Sequence, residues 1–165
     1  MKKKILLIVL AILVIIQFIR PSRNESSTMS ANDITKHFTV PDDVNQILKK
    51  ACNDCHSNNT IYPWYMNIQP VGWWMADHVK DGKKELNFSE FGSYTPKRQH
   101  HKLEEVVDQV KEGEMPLDSY TWMHKEAVLT TQEKTLLVNW AEILRKELAT
   151  KYNLPEEEEK KPEKK

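Results

Sequence analysis

Ala51-Cys52-Asn53-Asp54-Cys55-His56-Ser57 holds the only two cysteines of the chain, three positions apart, with a histidine directly behind the second. This is the pattern of a c-type haem attachment site. Two thiols one helical turn apart can each add across a porphyrin vinyl group, and the imidazole behind them becomes the proximal ligand of the iron. Three other readings compete. A thioredoxin-like redox pair needs a βαβ context, and no strand run follows. A structural zinc site needs four ligands, whereas the only other closely spaced histidines, His100 and His101, are adjacent. A plain disulfide, or an accidental spacing, is the third.

Working outward, Val44, Ile47, Leu48, Ala51, Cys52 and Cys55 share one face of a helix, so both thiols are expected on its buried side. Asp42 and Asp43 suit the N-terminal end of that helix. Next come Tyr62, Trp64, Tyr65, Trp73 and Trp74, in a stretch broken by Pro63 and Pro70. They are expected to wall an apolar cofactor, Trp64 and Tyr65 in particular, or else to be ordinary aromatic core. A short helix is predicted from about Val71 to Val79, stopped by Gly82, with His78 exposed. Phe88 and Phe91 anchor an irregular segment. A further helix is predicted over 96–112, with Pro96 at its first turn and Gly113 as its stop. His100 lies on its apolar stripe and His101 points away.

Met115, just past that stop and held by Pro116, is placed to offer a thioether to the open face of a haem. Met/His ligation raises the reduction potential. His124, Met123, His100 or an open position are the alternatives, and a gap-filling core methionine is the bland reading. Thr130-Thr131-Gln132-Glu133 is a capping box opening a last helix over about 131–150. Leu137, Trp140, Ala141, Leu144 and Leu148 should be buried and should cross the first helix, clamping the cysteine segment.

The ends differ in composition from this middle. Residues 1–23 carry Lys2, Lys3 and Lys4 and then a nearly all-aliphatic run from Ile5 to Ile19. The run is short for a membrane span, yet Arg20-Pro21-Ser22-Arg23 offers no cleavage site, so an uncleaved signal anchor is favoured. The rest would then lie outside the inner membrane, on the periplasmic side, where bacterial thioether attachment takes place. Residues 24–38 read as a polar linker, with His37 solvated, residues 39–152 as the haem domain and residues 153–165 as a disordered charged tail. Lys+Arg and Asp+Glu each total 24, and this zero net charge gives no sign of nucleic-acid binding. Four glycines in 165 residues favour an all-α fold.

From Asn45 through Trp140 the chain resembles the bacterial haem-binding domain family, exported proteins with a single Cys-x-x-Cys-His motif that are related to monohaem cytochromes c. The resemblance rests on Cys-Asn-Asp-Cys-His-Ser (52–57), Pro-Trp-Tyr (63–65), Pro-Val-Gly-Trp-Trp (70–74), Glu-Leu-Asn-Phe-Ser (85–89), Glu-Met-Pro-Leu (114–117) and Leu-Thr-Thr-Gln-Glu-Lys (129–134). It implies haem c on Cys52 and Cys55, His56 as proximal ligand, Met115 as distal ligand, and a cytochrome c-like helical fold. The expected function is single-electron transfer to redox partner proteins. A haem-based gas sensor and a peroxidase-type enzyme are the alternatives.

Overall fold

Helix is the only regular structure among residues 1–155, which are those the computed structural model describes. The helices are α1 (Lys2–Ile16), α2 (Ile34–His37), α3 (Asp42–Ala51), α4 (Asn53–His56), α5 (Val71–Glu85), α6 (Pro96–Glu112), α7 (Asp118–Thr121) and α8 (Thr131–Tyr152), with 3-10 turns at Trp64–Asn67, Phe88–Ser93 and Lys125–Ala127. The all-α expectation holds for these residues. Most of the expected tail, residues 156–165, lies outside the described residues. The chain divides into two compact units, one of residues 1–37 and 48–92, the other of residues 38–47 and 93 onward.

In the first unit α4 packs on α5, and α5 on the turn at Trp64–Asn67. Phe88 and Phe91 are buried there as expected. Three features differ from the expectations. The helix carrying the thiols is broken: α3 ends at Ala51, Cys52 takes a non-helical φ of −124°, and Cys55 lies on the separate α4. Asn53 and Asp54, which favour caps and turns over helix interiors, come directly after the break. Helix α5 runs six residues past Val79 and through Gly82, because Gly82 serves a close contact rather than a stop. The expected linker is docked. The Asn24 amide donates to the Ser57 carbonyl and to Thr60 Oγ1, both at 2.9 Å, its Oδ1 accepts from Lys83, and Ile34 is buried.

Helix α1 is fifteen residues long, and no helix among the described residues is long and apolar enough to cross a membrane. At 1.5 Å per residue it reaches about 22 Å, and its end is set at Gln17, whose amide donates back to the Leu13 carbonyl.

In the second unit α6 and α8 pair along their length. Leu103, Val107 and Val110 on one, and Leu137, Trp140, Ala141, Leu144 and Leu148 on the other, are buried. Thr95 accepts from the Arg98 amide at the start of α6, and Gly113, at φ 80°, ends it. Thr130 and Glu133 form the expected capping box of α8, which ends at Asn153 in the left-handed conformation. A cap contributes about 1 kcal/mol and each fully buried aliphatic side chain about 1.5–3 kcal/mol. Packing therefore holds the pair, and the caps set its ends. Trp140 on α8 reaches the segment before α3 by donating to the Thr39 carbonyl at 3.1 Å. The element lying on the Cys55 turn is α5.

Candidate functional site

Helix α4 is one turn long, closed by the Cys55 and His56 amides, which both donate to the Cys52 carbonyl, at 3.1 and 2.9 Å. Cys52 and Cys55 are half-buried and unbridged. Burial, helped by the neighbouring Cys55, pushes the Cys52 thiol up to about 12, and burial with the Asp54 charge pushes Cys55 to about 11. Both are neutral thiols at pH 7, the opposite of the activated thiolate in a redox Cys-x-x-Cys pair. Among the described residues no three His, Cys, Asp or Glu side chains gather as ligands for a metal ion. No strand is present among them to frame a thioredoxin-like motif.

The His56 ring is oriented by its Nδ1, 3.0 Å from the Leu86 carbonyl oxygen. A carbonyl only accepts, so Nδ1 carries a proton, and in the neutral ring the lone pair is then on Nε2. That is the tautomer of a histidine prepared for a metal, with the second nitrogen held by a backbone carbonyl. The carbonyl is itself held in place. The Asn58 amide donates to Ser89 Oγ at 3.1 Å, and Asn87 Nδ2 donates to Asn58 Oδ1 at 2.9 Å. The Ser89 amide donates to Asn87 Oδ1 at 3.0 Å. Residues 56 and 58 are thus each bonded to the segment from Leu86 to Ser89. Glu90 extends the network, accepting from Asn58 Nδ2 at 2.8 Å and Asn32 Nδ2 at 3.2 Å. Its carboxyl is held below the ordinary carboxylate range, chiefly by Asn32 and then by Asn58, Ser30 and the Lys83 charge.

Gly82 brings α5 against this turn. A Cβ there would stand 2.7 Å from the Cys55 carbonyl oxygen and 2.9 Å from its Cβ. Only a glycine allows that approach. Two thiols on a turn and an imidazole oriented through Nδ1 form a donor set that fits a haem.

The remaining expected residues divide between the units. Trp64 is 71% exposed and packs edge-on against half-buried Tyr65, ring centroids 5.9 Å apart. Tyr62 accepts from the Asn24 amide, with the Arg23 guanidinium 4.8 Å above its ring. Trp73 donates to the Ile19 carbonyl at 2.7 Å, and Trp74 packs on His78. Met115 belongs to the second unit, half-buried, its amide donating to the Gln109 carbonyl at 3.2 Å and its peptide bond to Pro116 cis. His124 stacks on Tyr120 at 4.3 Å, with Nδ1 3.1 Å from a Glu126 carboxylate oxygen. His100 is buried, whereas Met123 and His101 are exposed, His101 beside Glu104 and Glu105. The Leu86 carbonyl, the Asn58–Asn87–Ser89 bonds and Gly82 were not anticipated as parts of a site. The sole trace of the first two was the Glu-Leu-Asn-Phe-Ser run, whose role no side-chain pattern reveals.

A family model described as a haem-binding domain matches residues 11–143. No curated protein matches the chain, and no solved structure does.

Proposed function

The chain belongs to the haem-binding domain family, and from that premise we propose that it carries one haem c covalently on Cys52 and Cys55 and transfers single electrons. The carrying observation is the His56 Nδ1 contact to the Leu86 carbonyl at 3.0 Å, one residue from Cys55. Bound there, haem supplies a one-electron iron centre whose potential depends on its axial ligands. His56 would hold the iron through Nε2. Its ring is fixed by Leu86, and that carbonyl keeps the imidazole a good donor. Met115, or in its place His124, would supply a second ligand to that iron, and an iron with both positions filled would suit an electron carrier better than an enzyme. Helix α1 inserts in the inner membrane as a tether, with the haem domain on the extracytoplasmic side and redox proteins as partners.

Intact mass spectrometry of protein made with haem-maturation machinery present tests the first claim. The expected mass is the polypeptide plus one haem, and a bare polypeptide mass refutes it. The ferric protein should show the weak far-red band of an iron–thioether bond, lost in Met115→Ala with a fall in reduction potential. A band that survives the substitution removes Met115 from the site.

A further inference from the structure

The large apolar side chains of α1 from Ile5 to Ile15 are between 46 and 69% exposed. Past Lys4 the helix is apolar on every side, which suits lipid rather than water. Its C-terminal end is bonded firmly to the first unit. Gln17 Nε2 donates to the Gln69 carbonyl at 3.0 Å, and the Gln69 amide donates back to Gln17 Oε1 at 2.9 Å. Trp73 Nε1 donates to the Ile19 carbonyl. These bonds fasten the exit of α1 to the segment from Gln69 to Trp73.

The residues bracketing that fastening are exposed and apolar: Trp64, Ile68 at 46%, Val71 at 39% and Trp74 at 47%. Phe18 and Ile19, leaving α1, are exposed as well, and Arg20 beyond them lies in solvent. We infer that this surface of Trp64, Ile68, Val71 and Trp74 rests in the phospholipid headgroup layer where α1 enters the bilayer, holding the unit that bears the haem motif flush with the membrane. The inference rests on the tether proposed above and goes further, because it names the lipid interface as a second contact.

Length supports it. The apolar part of α1, Ile5 to Ile16, reaches about 18 Å against a hydrocarbon core of about 30 Å, and so short an inserted segment draws its flanking residues toward the interface. Tryptophan is enriched at that depth, and arginine suits the phosphates beside it. The Gln17–Gln69 pair leaves no slack for the unit to stand off on a flexible arm.

The test uses the full, haem-loaded chain in vesicles of phosphatidylethanolamine and phosphatidylglycerol doped with a diazirine-bearing phosphatidylcholine. After irradiation, adducts are mapped by peptide mass spectrometry. Adducts are expected both on α1 and on residues 61–74. The pair Ile68→Ser and Val71→Ser should lower labelling of 61–74 severalfold, leaving α1 labelling and the Soret band unchanged. Adducts confined to α1 would keep the tether and overturn the interfacial surface. Adducts on neither would remove both. A shifted Soret band in the double variant would assign these residues to the haem pocket and overturn the inference.

Discussion

Replacing Gly82 by alanine is the sharpest test of how the motif is held. Its new Cβ would lie 2.7 Å from the Cys55 carbonyl oxygen, 2.9 Å from Cys55 Cβ and 3.2 Å from the Cys55 carbonyl carbon, where ordinary contact is 3.4–4 Å. Two of these three atoms are backbone, so no rotamer change relieves the clash. Either α5 or the α4 turn must move by about half an ångström or more. Overpacking of this kind costs about 1–3 kcal/mol, against a gain of about 0.5–1 kcal/mol for alanine over glycine in a helix interior. The net loss is then up to about 2.5 kcal/mol, and at about 2–4 °C per kcal/mol for a chain of this size the melting temperature falls by up to about 10 °C. The displaced turn also carries His56, so the 3.0 Å contact to the Leu86 carbonyl should lengthen and haem loading should fall. Gly113→Ala is the control. It forces alanine to φ 80° in otherwise open space, with Lys134 Nζ 3.8 Å away, at a cost of about 1–2 kcal/mol. Both variants should melt lower by circular dichroism, but only Gly82→Ala should lower the haem-bearing fraction by intact mass. A Gly82→Ala protein that melts higher than the parent would refute the reasoning.

Two further substitutions probe the surrounding network. Glu90 titrates below its ordinary value of 4.5 in the folded chain. Its contribution to stability is therefore fully present above about pH 4.5 and lost as pH falls through the folded value. Melting temperatures of the parent protein should drop more steeply than those of Glu90→Gln below that pH, and parallel curves would show that the Asn32 and Asn58 bonds do not favour the charged form. Asn24→Ala removes the bonds to Ser57, Thr60 and Lys83. At about 0.5–1.5 kcal/mol for each net hydrogen bond, the loss is about 1.5–4.5 kcal/mol, seen in thermal melts. A free linker would show no change.

The features legible in the sequence were those that local chemistry decides. Pro96 and Gly113 bound α6, and Thr130 with Glu133 starts α8, because such signals depend on a few neighbouring residues. Cys52, Cys55 and His56 were legible for the same reason. Gly82 was misread because a glycine inside a helical pattern looks like a stop until the element packed against it is known. The segment after α1 looked like a tether because Asn24 finds its partners 33, 36 and 59 residues away. The break at Cys52 was hidden by an apolar period that continues unbroken through it. The acceptor for His56 was invisible in principle, since every residue has a carbonyl and no side-chain type marks the one that is used.

That last point bears on how the site is organised. A four-residue helix has no stability of its own, because helix nucleation fixes several residues for a single bond. Left alone, α4 would not present Cys55 and His56 in one geometry. The bonds from 56 and 58 to the 86–89 segment, and the approach of α5 at Gly82, supply the order that so short a helix lacks. Most of that order is polar and backbone-directed, so it does not depend on an apolar macrocycle to fill a core. The His56 ring is therefore oriented by the protein alone, and substitutions at Asn58 or Ser89, which touch neither thiol, should act on His56 through its position.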